Sequence, residues 1–132
     1  MEIKNKELID LTTPKSREKG ISSINGDIVI IGVPVYEEQM TKILNKFLKS
    51  LNGDGKPVVI VGVYGNIGYG IVLNELELMA SNSGFKVIAA ATFIGEHSFS
   101  TPQVPLAEKR PNKDDLKKAE EFGKNIIKKI QK

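Results

Sequence analysis

The sequence predicts an α/β protein built on an open parallel sheet with helices on both faces. Two observations carry this. Three short apolar runs, at 27–35 (DIVIIGVPV), Pro57–Tyr64 (PVVIVGVY) and Lys86–Ile94 (KVIAAATFI), are nearly unbroken rather than alternating. Continuous apolar runs mark strands covered on both faces, as in a parallel sheet. The segments between and after them carry helical periodicity, so the chain from residue 27 reads β-α-β-α-β-α.

Each element has its own grounds. The run at 27–35 is rich in Ile and Val and is bounded by Gly26 and Pro34, which predicts a strand over 27–34. Met40, Ile43, Leu44, Phe47, Leu48 and Leu51 follow the spacing of one buried helix face, predicting a helix over 38–51. The second strand is expected at 57–64. Ile71, Val72, Leu76, Met79 and Ala80 predict a helix over 68–83, with Gly84 as its stop. The third strand is expected at 86–94. Leu116, Ala119, Phe122, Ile126, Ile127 and Ile130 predict a last helix over 113–130. Asn112 would cap it, and Asp114 and Asp115 sit where the helix dipole favours negative charge. Upstream, residues 1–26 read as a weak strand at 7–11 (ELIDL) and a long polar loop with room for a single helical turn. The whole chain, 1–132, is read as one domain.

Composition narrows the function. At 132 residues the chain can form one core without covalent staples. With no Cys it has no disulfide, cysteine nucleophile, zinc–thiolate site or iron–sulfur cluster of its own, and one His, His97, does not make a multi-histidine metal site. The net charge is +3, but all of the 19 basic residues except Arg17 and Arg110 are Lys, and many alternate with acids along the last helix. That is a solvated face rather than a nucleic-acid stripe. The longest apolar stretch, 28–36, falls far short of the ~20 residues needed to span a bilayer, and the N-terminus has no signal-peptide pattern. The expectation is a soluble cytoplasmic protein that binds neither nucleic acid nor membrane.

In an open parallel sheet, ligands bind beyond the carboxyl ends of the strands. The three strand exits are Pro34-Val35-Tyr36, Tyr64-Gly65-Asn66-Ile67-Gly68-Tyr69-Gly70 and Gly95-Glu96-His97-Ser98. Two of them offer Tyr, a stacking surface for a flat ring, and the glycines allow backbone N–H groups close to a ligand. The glycine run matches neither the dinucleotide fingerprint nor the P-loop. His97 and its neighbouring serines form no nucleophile elbow, and the exits lack the aspartates of a phosphoacceptor site. Glu96 and His97 remain as weak candidates for a proton relay or a partner contact.

Taken together, P-V-Y (34–36), Y-G-N (64–66), E-H-S (96–98) and R-P-x-x-x-D (110–115) resemble the flavodoxin-like domain of the flavodoxin–ferredoxin fusion flavoproteins of anaerobes, over about residues 8–130. The resemblance implies a flavodoxin-like sheet, FMN, electron transfer and a ferredoxin-type redox partner. It implies that the flavin ring lies against Pro34, Val35 and Tyr36 on one side and Tyr64, Gly65, Asn66, Gly68 and Tyr69 on the other. The family's opening strand and its phosphate loop, [ST]-x-T-G-x-[ST], match no segment here. Glu37 and Glu38 stand where glycines are expected, and Ile67 where Arg is expected. The expectation is thus a flavodoxin-like domain lacking its first β-α unit, with weak or absent FMN binding and neither cluster nor metal. A homodimer through the open edge of strand 27–34 is expected as well. The alternative is a binding or assembly module that kept the scaffold and lost FMN.

Overall fold

The apolar runs form three strands, β1 (Val29–Pro34), β2 (Pro57–Tyr64) and β3 (Lys86–Ile94), in one sheet of order β1-β2-β3 with both pairings parallel. The computed structural model describes residues 5–21, 24–35, 42–65, 70–96, 101–105 and 107–132. Register runs from Val29↔Val58 to Pro34↔Val63 and from Pro57↔Lys86 to Tyr64↔Ile94. β2 is central, and its consecutive residues Val58, Val59 and Ile60 are all buried. Burial on both faces is why the run does not alternate. β3 carries one extra residue, since Val58 pairs with Val87 and Val59 with Ala89. The residue passed over is Ile88, and its carbonyl accepts a hydrogen bond from Lys129 Nζ on the last helix. A carbonyl displaced from the ladder thereby finds a partner.

The helices are α1 (Pro14–Glu18), α2 (Lys42–Leu48), α3 (Val72–Asn82) and α4 (Lys113–Ile130). Strand order follows chain order, so both crossovers advance in the same direction and set α2 and α3 on the same face. There Leu48 of α2 and Val72, Leu76, Met79 and Ala80 of α3 join Ile31, Val33, Val58, Ile60 and Phe85 in one core. Gly62 lies beneath α3, where an added Cβ would come 3.1 Å from a methyl of Val72. α4 lies against β3, with the Phe93 and Phe122 rings edge to face at 5.8 Å between centroids. Phe93 and Gly62 have opposite parity along their paired strands, so α4 covers the other face. That face is only partly covered: Ile30 remains 46% and Val63 45% exposed.

Local signals behave as their chemistry dictates. α3 ends in a Schellman motif: Phe85 N–H donates to Ala80 O at 3.0 Å and Gly84 N–H to Ser81 O at 3.1 Å. Gly84 takes φ of 87°, open to glycine at no steric cost. α4 opens with the expected Asn112 cap, reciprocated by Asp115. The single helical turn in the upstream loop is α1, capped by Thr13 with Pro14 at its first position.

The expected strand at 7–11 does not form. Asp10 accepts from both the N–H and the hydroxyl of Thr12, the Leu11 carbonyl accepts from Arg17 Nη1 at 2.7 Å, and Leu8 is 89% exposed. A side-chain turn at Asp10 competes with ladder pairing and wins. β1 begins at Val29 rather than residue 27. The expected helix starts at 38–41 and 68–69 lie outside the described residues. Among the described residues no strand pairs with the outer edge of β1, and no helix is long and apolar enough to cross a membrane.

Candidate functional site

Parallel strands bring their three exits to one edge of the sheet, and the backbone ties those exits side by side. Val35 N–H donates to Val63 O at 2.9 Å, and Gly95 N–H donates to Tyr64 O at 2.9 Å. Pairing therefore continues one residue past the ends of β1 and β3. Pro34 is exposed there, while Val35, Tyr64, Gly65 and Gly95 are half-buried. A Val35 methyl lies 3.6 Å from the Cβ position of Gly62, so the ends of β1 and β2 pack closely. Of the expected site residues, the structure brings together Pro34, Val35, Tyr64, Gly65 and Glu96. Tyr36, Asn66, Gly68, Tyr69 and His97 lie outside the described residues, as do Glu37, Glu38 and Ile67.

The third side of the edge is a loop that the sequence marked only as a motif. Glu96 N–H donates to Arg110 O at 2.9 Å, and Arg110 N–H donates to Ala107 O at 3.1 Å. Ala107 and Lys109 take φ of 54° and 58°, and the Arg110–Pro111 peptide is cis. Arg110 donates through Nε and Nη2 to the two carboxylate oxygens of buried Asp115. Asn112 N–H donates to the same carboxylate at 2.8 Å. R-P-x-x-x-D is thus a lock in which one carboxylate caps α4 and grips the arginine that precedes it, a bidentate geometry that suits guanidinium. The hydrogen bond from Arg110 pulls the Asp115 pKa from 3.8 down to about 2, and the Asn112 amide adds to this against the opposing effect of desolvation. Asp115 in turn raises the pKa of Arg110, and Tyr64 and Asp114 contribute less. The Arg110–Asp115 ion pair on the loop that meets Glu96 is the feature missing from the expected site residues. Its signal was the Arg–Asp spacing across a helix cap.

This edge offers an exposed proline, an aliphatic residue, an aromatic ring and backbone groups, with an arginine held at the rim. α3 starts from the same edge at Ile71, with no side-chain cap among the described residues and with Glu75 in its first turn. Among the described residues, no group of three or more His, Asp or Glu could hold a metal. The chemistry fits a flat, weakly polar ring. Among the described residues there is no glycine–hydroxyl turn of the phosphate-loop kind, and the N-terminal amides of α1 and α4 bond their own caps, whereas the start of α3 meets this edge without a side-chain cap.

No protein-family profile matches the chain. It is 27% identical over 110 residues to the uncharacterized protein MJ0298 of Methanocaldococcus jannaschii, covering 79% of this chain and 71% of that protein.

Proposed function

We propose that this chain is a flavodoxin-like electron-transfer domain of the cytoplasm that holds FMN weakly, mainly by its ring. The observation that carries this is the paired exit of β1 and β2, where exposed Pro34 and half-buried Val35 adjoin half-buried Tyr64 and Gly65. Bound FMN would supply reversible electron transfer through its ring. Pro34, Val35 and Tyr64 would supply stacking and exclude water. Arg110, its charge matched by Asp115, would hold the loop that forms the third side of the ring site. The electron partner is proposed to be a small ferredoxin-type protein. No side chain is assigned a nucleophilic role.

With no phosphate cradle among the described residues, FMN and riboflavin should bind with similar, modest affinity. Calorimetric titration with each ligand is the test. Nanomolar FMN with strong preference over riboflavin would refute the ring-only mode. Failure to bind either ligand would refute the flavin reading. It would favour the second reading, a binding or assembly module, which the unpaired outer edge of β1 supports independently.

A further inference from the structure

The outer edge of β1 has a defined pattern of unpaired groups. Because Val35 N–H bonds Val63 on β2, strand alternation turns the backbone groups of Val29, Ile31 and Val33 toward β2. Those of Ile30, Gly32 and Pro34 turn outward. The edge therefore presents two N–H donors, at Ile30 and Gly32, and three carbonyls, since proline has no N–H. Along this edge runs an apolar groove of about 520 Å³, lined by β1 together with Leu11, Ile24, Leu44 and Leu48. On the opposite face Ile30 is 46% exposed, and a Cβ built on Gly32 would meet nothing within 4 Å.

We infer that this edge pairs with the same edge of a second copy, antiparallel and two-fold, with the axis at Ile31. Three features select a second copy. β1, Val29–Pro34 (VIIGVP), carries no charged residue, so two such edges meet without like-charge repulsion and without the lysine that usually guards an edge. With the axis at Ile31, Ile30 stands opposite Gly32 of the partner. Every outward N–H and C=O of these two residues then finds a mate, and the Ile30 side chain covers the open space above Gly32. In this register Pro34 faces a position outside the strand, so its missing N–H costs nothing within it. This chain's own upstream segment lines the groove through Ile9, Leu11, Thr12, Arg17 and Ile21, yet among the described residues it makes no ladder with β1; its backbone is held in the turn at Asp10 and by the bond from Arg17 to Leu11.

The chain has no cysteine, so Ile31→Cys tests the axis directly. Opposed residues of a non-hydrogen-bonded antiparallel pair lie about 4.5 Å apart between Cα atoms, within reach of a disulfide. Mild oxidation should give a covalent dimer of native circular dichroism. Gly32→Lys provides the second arm, because the monomer has room for the side chain and the backbone there is not left-handed. It should weaken association by about tenfold or more, two-fold symmetry applying the change twice, while leaving the circular dichroism of the folded chain native. Sedimentation equilibrium of the wild type across micromolar concentrations should show a dimer. A wild-type monomer would overturn the inference, as would a dimer that Gly32→Lys leaves unchanged.

Discussion

Leu76 and Leu78 lie two residues apart on α3, and the structure gives them opposite fates. Leu76 is fully buried between the helix and the sheet, and Leu78 is 64% exposed. Replacing each with Ala removes the same atoms and gains the same few tenths of a kcal/mol of helix propensity. At Leu76 the three lost carbons account for about 2.4 kcal/mol of transfer free energy at ~0.8 kcal/mol each. The cavity adds more, because rigid neighbours such as Ile60 and Val72 on β2 and α3 relax only partly. The expected loss for Leu76→Ala is about 3–5 kcal/mol, or a fall in melting temperature of roughly 10 °C or more. Leu78→Ala should stay within about 0.5 kcal/mol of wild type. Urea unfolding followed by circular dichroism, with both variants at matched concentration, measures the difference. Equal midpoints for the two variants would refute the placement of α3 on the sheet.

Two further perturbations test other parts of the architecture. Gly53→Ala should destabilise the protein by about 2 kcal/mol or more, since the new Cβ would come 2.5 Å from the backbone nitrogen of Phe85; denaturant midpoints check it. The Asp115 carboxyl has a folded pKa of about 2 against an ordinary 3.8. Its contribution is therefore fully present above the ordinary value and is lost as the pH falls toward 2. Unfolding midpoints measured from pH 5 to pH 2 should fall less steeply in Asp115→Asn than in wild type.

What was legible in the sequence follows from the kind of signal. β2 and β3 appear at 57–64 and 86–94 because their apolar runs are long, unbroken and ended by glycine or by a charge. α4 spans 113–130 because Asn112, Asp114 and Asp115 announce its start and the Ile and Phe spacing sustains it. The strand expected at 7–11 does not form, because the apolar residues of ELIDL say nothing about the bonds that Asp10 makes with Thr12. Only a turn calculated against pairing decides between them. At the candidate site, Pro34, Val35, Tyr64 and Gly65 were legible from topology, since a parallel sheet gathers its exits at one edge. Arg110 was not, because its place at the rim depends on a loop whose path is fixed by Asp115 and by a backbone bond to Glu96, both products of tertiary structure.

The two attachments of α4 have a joint consequence. Its first turn is fastened through Asp115 and Arg110 to Glu96, two residues past the end of β3, and its last turn is fastened through Lys129 to Ile88 near the beginning of that strand. The helix thus acts as a brace running the length of β3, pinned at both ends, with the Phe122–Phe93 contact between them. The C-terminal turn, remote from the strand exits, is thereby tied to the same strand whose far end carries the Arg110 loop.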